Sequence, residues 1–211
     1  MIDKRIEQFA EEHTSNESPF LYKLNRTTHL RTFYPNMLSG KVQGKFLEML
    51  MYMLRPKRVL EIGTFTGYSA LAMAQGMPED SFLYTIEINE ELEDFLHHTF
   101  NEAGEGKRIK LLMGDALEII PELDEVFDFV FIDADKEQYI DYYEAVFRKV
   151  VPGGFILADN VLWGGKAVFD TKPPDKETKG IRSFNEHIKN DNRVDKVMLT
   201  LRDGLYLIRK L

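Results

Sequence analysis

Cysteine is absent from the chain. That excludes a disulfide framework, a thiolate nucleophile and any zinc site built on sulfur. Long apolar runs are also missing. No stretch reaches the roughly 18 residues that a membrane span needs, and the opening MIDKRIEQFAEEH lacks the apolar centre of a signal peptide. A cytoplasmic location with no membrane partner is the expectation. Positive charge is in deficit, with 27 Lys and Arg against 35 Asp and Glu, a formal net charge of −8. Such a balance disfavours a broad nucleic-acid-binding face and leaves room only for a local basic patch. Internal repeats and low-complexity tracts are lacking as well.

What is present fits one globular domain: 211 residues, 44% of them hydrophobic, enough to bury a full core. A helical segment, residues 1–55, leads into a core over 56–211. In the first segment Ile2, Ile6 and Phe9 recur at helical spacing, and a polar break from Thr14 to Ser18 ends at Pro19. Between Gly40 and Leu54, the residues Val42, Phe46, Leu47, Leu50, Met51 and Leu54 form one stripe, which predicts an amphipathic helix stopped by Pro56. From Arg58 short apolar runs alternate with helical stretches. Residues 59–62, 82–87, 109–113, 127–132 and 154–158 read as strands; 67–76, 89–103, 115–121 and 136–149 read as helices. Runs such as FVFI and FILA are apolar at successive positions, as in strands covered on both faces. The pattern predicts a doubly wound, Rossmann-like α/β fold with a mostly parallel sheet. After a Gly/Pro/Lys-rich stretch at 164–180, a helix near 181–190 and strands near 194–201 and 204–209 follow. Asp203-Gly204 between the last two signals a tight hairpin, so a seven-stranded sheet ending in an antiparallel pair is expected.

Ligands of open α/β sheets bind beyond the carboxyl ends of the strands. Here those ends are acidic: Glu61, Glu87, Asp115, Asp133 and Asp159. One such acid is often only the N-cap of the next helix. Five together repel one another unless ribose hydroxyls, a cationic ligand or a metal ion offsets their charge. Gly63 and Gly67 in EIGTFTGYS follow a strand and open a helix, which admits close approach of a ligand to the backbone. They do not make the G-x-G-x-x-G dinucleotide fingerprint. Glu87, 24 residues after Gly63, is placed to accept from two ribose hydroxyls. Gly114-Asp115-Ala116 suits an adenine edge, the carboxylate accepting from the amine and a backbone N–H donating to the ring.

Two neighbouring strand ends, Phe131-Ile-Asp133-Ala-Asp135-Lys136 and Ala158-Asp159-Asn160, bring two carboxylates and an amide oxygen. An all-oxygen set suits a hard cation, and no histidine lies in either segment to favour zinc. Lys136 beside it can accept or relay a proton, although a lone lysine on a helix is more often simply solvated.

Taken in order, VLEIGTFTGYSA, TIEIN, GDAL, FIDADKEQYIDYY and ILADNVLWGG resemble the cation-dependent O-methyltransferases, the family of catechol and caffeoyl-CoA O-methyltransferases, over roughly residues 36–211. The resemblance implies an S-adenosylmethionine-dependent enzyme with Asp133, Asp159 and Asn160 as ligands of Mg²⁺, or of Mn²⁺ or Ca²⁺, and Lys136 as general base. It implies methyl-donor contacts from Glu61, Gly63, Phe65, Tyr68, Ser69, Glu87 and Ala116, with Asp115 and Asp133 beside them and Met37 and Ser39 from the N-terminal segment. Ala134 stands where the mammalian catechol enzyme has a histidine, Asp135 follows the caffeoyl-CoA branch, and the catechol enzymes' C-terminal acid has no counterpart. The implied reaction transfers a methyl group to a hydroxyl of a small catechol- or caffeoyl-like acceptor, with Trp163 and residues 164–180 as a movable wall. The family implies a homodimer. An alternative acceptor is 5-hydroxyuridine in tRNA, met by a basic rim of Arg26, His29, Arg31, Lys166, Lys172, Lys176 and Lys179. A nicotinamide dehydrogenase is disfavoured by the missing third glycine, and a non-catalytic binding protein by the intact ligand set and Lys136.

Overall fold

A computed structural model describes residues 4–32, 35–169 and 173–211. Ile2 and Lys172 lie outside the described residues. Along the chain run α1 (Lys4–Glu12), α2 (Pro19–Arg31), α3 (Gly40–Leu54), β1 (Arg58–Ile62), α4 (Tyr68–Gly76), β2 (Phe82–Glu87), α5 (Glu93–Glu102) and β3 (Ile109–Met113). There follow α6 (Ala116–Glu122), β4 (Phe127–Ile132), α7 (Tyr139–Phe147), β5 (Val150–Asp159), α8 (Lys176–Asn190), β6 (Val194–Leu199) and β7 (Leu205–Lys210). The strands form one seven-stranded sheet in the order β3-β2-β1-β4-β5-β7-β6. Two compact units make up the chain, one of residues 58–63 and 115–211, the other of the segments up to 57 and 64–114.

In the second of these units, Ser18 accepts from the Leu21 N–H and Pro19 supplies a preset φ, so α2 starts where the polar break ends. Leu21, Leu24 and Thr28 face inward. The stripe on α3 buries Leu47, Leu50 and Met51, and the helix ends at Arg55 in a left-handed conformation just before Pro56. Strands β2 and β3 pair in parallel from Leu83↔Ile109 to Glu87↔Met113.

The other unit holds β1, β4 and β5 in parallel register, Val59↔Phe129 and Phe129↔Phe155. Strand β7 runs antiparallel to β5, and β6 antiparallel to β7. Phe127, Phe129 and Phe131 are fully buried, each contributing about 1.5–3 kcal/mol by leaving water. Tyr139 and Tyr143 meet Phe184 of α8 edge to face.

Three boundaries differ from the sequence reading. Strand β5 begins at Val150, which pairs with Phe127 of β4; the register then shifts, so that residues 151–154 bulge before Phe155 pairs with Phe129. Helix α8 begins at Lys176 rather than 181, since Asp175 caps it by accepting from the Thr178 N–H. The antiparallel pair is present, but its turn is not a two-residue hairpin: Leu199↔Leu205 closes the ladder, leaving residues 200–204 as the loop. That loop is held open because Asp203 and Gly204 carbonyls accept from Leu162 and Val161 N–H groups of the segment after β5. No helix among the described residues is long and apolar enough to cross a membrane.

Candidate active site

Parallel register pairs Ile132 with Ala158, so Asp133 and Asp159 leave the adjacent strands β4 and β5 side by side. The Asp133 N–H donates to Ile62 O of β1 at 2.9 Å, which pins the strand end. Asp159 is 2% exposed, and its Oδ1 accepts from the Asn160 N–H at 2.6 Å. Asn160 sits at φ +57 and, half-buried, turns the chain away from the sheet.

Lys136 is not a solvated helix residue. It is 7% exposed, and its Nζ donates to Asp133 Oδ1 at 2.8 Å and to the Tyr139 hydroxyl at 2.6 Å. The turn that carries it, Lys136–Gln138, is capped by Asp135 through the Glu137 N–H. Helix α8 comes against the Lys136 carbonyl at Gly180, where a Cβ would stand 2.3 Å from that oxygen. Burial, and then the charges of Asp133 and Asp159, push the Tyr139 phenol well above its usual pKa. Tyr142 is raised to about 12, by burial and then by Asp135.

The donor chemistry fits a hard divalent cation. Two carboxylates and one amide, all oxygen donors, issue from neighbouring strand ends, and the single lysine bound there engages only one oxygen of Asp133. A different group with metal-like spacing, Glu144, His187 and Asp191, lies on and after α7 and α8. Arg193 fills that one, bonding both carboxylates at 2.6 Å, so the group is an ion-pair network. Hydrogen bonds from Arg193 hold the Asp191 carboxyl far below the usual range.

The glycine turn has a steric basis that its spacing does not show. Gly63 adopts φ +96, and a Cβ there would stand 2.1 Å from the Asp133 carbonyl oxygen. Close packing against the end of β4 by itself requires glycine at this place. In the same unit Glu61 is fully buried, Ala116 is buried, and Asp115 caps α6 by accepting from the Leu117 N–H at 2.8 Å.

In the unit of residues 64–114, the Glu87 carboxylate accepts from the Phe65 N–H at 2.7 Å through one oxygen and from the Asn89 N–H at 2.9 Å through the other. Both oxygens keep lone pairs for further donors. Phe65 is held at φ +49, and the loop around it is tied down by Thr64–Thr85 at 2.6 Å and Thr28–Thr66 at 3.0 Å. Tyr68, Ser69 and Ser39 are buried, whereas Met37 is 60% exposed.

After β5, Trp163 is half-buried at φ +48 on a short 3₁₀ turn. Arg182 of α8 gathers this segment by donating to Lys166 O and Phe169 O. The basic rim is weaker than its residue count. Lys166 pairs with Asp175 at 2.9 Å and Lys176 lies 3.9 Å from Glu137, while Lys179 is exposed. In the other unit Arg26, His29 and Arg31 are exposed on α2.

Sequence reasoning missed Tyr139 and the Arg193 network. Tyr139 carries a faint signal, its i, i+3 spacing from Lys136 on a helical turn. Arg193 carries only the nearness of Asp191 two residues before it, since Glu144 comes from α7, 49 residues earlier.

The fold and its row of strand-end acids define a class first, a Rossmann-like methyltransferase. Residues 11–211 match the O-methyltransferase family. Caffeoyl-CoA O-methyltransferase 2 of Zea mays is 37% identical over 185 residues, covering 82% of this chain and 70% of that protein. Caffeoyl-CoA O-methyltransferase 1 of Eucalyptus globulus is 36% identical over 188 residues, 83% of this chain and 75% of its own length. Among solved structures, the O-methyltransferase TomG of Streptomyces achromogenes in complex with SAM has a TM-score of 0.89 at 30% identity, covering 100% of this chain and 99% of that one. The SAH-bound methyltransferase PaMTH1 of Podospora anserina has a TM-score of 0.91 at 26% identity, with 99% and 94% covered. The chain belongs to the O-methyltransferase family and is an S-adenosylmethionine-dependent enzyme of the caffeoyl-CoA O-methyltransferase type.

Proposed function

We propose that this enzyme methylates a hydroxyl of a small aromatic acceptor, catechol-like or caffeoyl-like, with the help of a divalent cation. The observation that carries the reading is the pairing of Asp133 with Asp159 at adjacent strand ends, with Asn160 following and Lys136 bound to Asp133. Asp133, Asp159 and Asn160 would hold the cation. Mg²⁺, Mn²⁺ or Ca²⁺ bound there would offset the two carboxylates and, as a Lewis acid, make the acceptor hydroxyl easier to ionise.

The chain's own groups do the rest. As the neutral amine, Lys136 takes the acceptor's proton: the O–H bond breaks, an N–H bond forms on the Nζ lone pair, and the oxygen is left as the nucleophile. That oxygen bonds to the methyl carbon as the sulfur–methyl bond breaks, and the donor leaves as a neutral thioether. Glu87, held by two backbone N–H groups, accepts from the ribose hydroxyls of the methyl donor. Asp115 and Ala116 meet its adenine, and Met37, Ser39, Glu61, Gly63, Phe65, Tyr68 and Ser69 complete its contacts. Trp163 and the segment after it border the acceptor. Exposed Ile6, Phe9, Met49, Tyr52 and Met53 on α1 and α3 support a homodimer built on these helices, which sedimentation tests directly.

The deciding experiment is a transfer assay with methyl-labelled S-adenosylmethionine against catechol, flavonoids, caffeoyl-CoA and tRNA bearing 5-hydroxyuridine, each with and without Mg²⁺. Labelling of a phenolic acceptor supports the proposal. Labelling of tRNA alone would replace the acceptor class, and the pairing of Lys166 with Asp175 weighs against it.

A further inference from the structure

Tyr139 opens α7 and is fully buried, yet the mechanism above gives it no part. Its hydroxyl sits where three groups converge. It accepts from Lys136 Nζ at 2.6 Å, and its single proton is directed to Asp159 O at 2.9 Å, with Ile132 O a longer second choice at 3.3 Å. The ring is clamped edge to face against Phe184 at 5.3 Å between centroids. A buried phenol needs only one partner to avoid a desolvation penalty, and the Asp159 carbonyl suffices. The short link to Lys136 is additional to that need.

A lysine nitrogen has four tetrahedral positions. Cε takes one, Asp133 Oδ1 a second and the Tyr139 hydroxyl a third. A single position is left, an N–H when the group is charged and a lone pair when it is neutral. We propose that Tyr139 is a positioning residue for Lys136: together with Asp133 it fixes the nitrogen's orientation, so that the one uncommitted position is held ready for the acceptor's proton. The same hydroxyl is anchored to the ends of β4 and β5, so Lys136 is referenced to the strand ends that carry Asp133 and Asp159. A flexible four-carbon side chain otherwise spreads its amine over many rotamers, and the orientation of a base is as much a part of catalysis as its basicity. The proposal rests on Lys136 as the base.

Tyr139→Phe removes one oxygen and keeps the ring. Calorimetry with S-adenosylhomocysteine and water-proton relaxation with Mn²⁺ show whether the site stays intact, and both affinities are expected to stay within about twofold of wild type, the spread of a merely lost neighbouring contact. In ¹H–¹⁵N spectra of lysine-labelled protein, the slowly exchanging ammonium signal that Lys136→Ala abolishes should exchange faster in Tyr139→Phe. With caffeoyl-CoA as acceptor, kcat should fall roughly 10- to 150-fold, the range of one hydrogen bond to a charged group, while KM for the methyl donor is unchanged. In a Lys136→Ala background, adding Tyr139→Phe should cost nothing further, because the hydroxyl then has no lysine to orient.

Several results would overturn the proposal. One is wild-type kcat and ammonium exchange in Tyr139→Phe while Lys136→Ala is impaired, which leaves the base assignment standing. Another is the same added loss in both backgrounds, or a collapse of Mn²⁺ or S-adenosylhomocysteine affinity, which would make Tyr139 a structural member only. Full activity of Lys136→Ala removes the base assignment itself, and the proposal with it.

Discussion

Gly63→Ala tests how the first strand end supports the second. In the native backbone Gly63 has φ +96, a conformation that L side chains rarely adopt, and the added Cβ would stand 2.1 Å from Asp133 O and 2.8 Å from the Asp133 carbonyl carbon. A normal contact is about 3.4 Å or more, so strand ends held by the 2.9 Å bond from Asp133 N to Ile62 O must separate by roughly 1 Å or rotate. Left-handed strain costs about 1–2 kcal/mol, and forcing a group into a packed backbone costs about 1–3 kcal/mol more. The expected loss of stability is therefore about 2–5 kcal/mol, which lowers Tm by roughly 4–20 °C for a chain of this size. Gly104→Ala is the control: nothing lies within 4 Å of its Cβ position and its φ is ordinary, so it should be neutral or slightly stabilising. Urea denaturation of both variants gives the free energies. Gly63→Ala within about 0.5 kcal/mol of wild type, the usual scatter of a surface change, would refute the reasoning that β4 packs on this glycine.

Glu87→Ala should weaken S-adenosylhomocysteine binding in calorimetry by about 1.5–3 kcal/mol for each charge-assisted bond lost. Some of that loss will come from freeing the Phe65 and Asn89 N–H groups. Undiminished binding would remove Glu87 from the cofactor site. The Asp191 carboxyl is held low chiefly by Arg193, so its contribution to stability is present above the ordinary carboxylate value near 3.9 and is lost as pH falls through the depressed folded value. Arg193→Ala should destabilise by roughly 1–3 kcal/mol at neutral pH, since it strips a charged hydrogen-bond partner from a buried carboxylate. Thermal melts should also show a flatter acid dependence in that variant, and an unchanged acid limb would contradict the assignment. Lys136→Ala should cost kcat about 10²–10⁴-fold if the lysine is the base, without changing affinity for S-adenosylhomocysteine.

Strands were legible because burial on both faces writes itself as continuous apolar runs, as in FDFVFI, where all six residues fall in β4 as expected. The stripe from Val42 to Leu54 likewise marked α3 to the residue. Boundaries set by contacts distant in sequence were not legible. The Pro152-Gly153-Gly154 stretch looks like a turn, yet it lies inside β5, in the bulge between the Phe127↔Val150 and Phe129↔Phe155 pairs, and the loop of residues 200–204 keeps its width because the segment after β5 claims its carbonyls. In the site, residue types at strand ends could be read from spacing, since register alone brings Asp133 and Asp159 together. Their partners could not. Nothing in local sequence says that the Lys136 amine turns inward to a buried tyrosine, or that a Cβ at Gly63 would meet the Asp133 carbonyl.

The central claim is that turnover, but not methyl-donor binding, depends on a cation held by Asp133, Asp159 and Asn160. Two carboxylates at adjacent strand ends favour a bound cation, whereas S-adenosylmethionine carries its own sulfonium charge. The direct measurement is methyl transfer to caffeoyl-CoA or another productive phenol after exhaustive treatment with EDTA, with S-adenosylhomocysteine affinity followed in parallel by calorimetry. The account predicts that turnover disappears, that Mg²⁺ or Mn²⁺ restores it in wild type but not in Asp159→Ala, and that S-adenosylhomocysteine affinity stays the same throughout. Full turnover in metal-free buffer would contradict it.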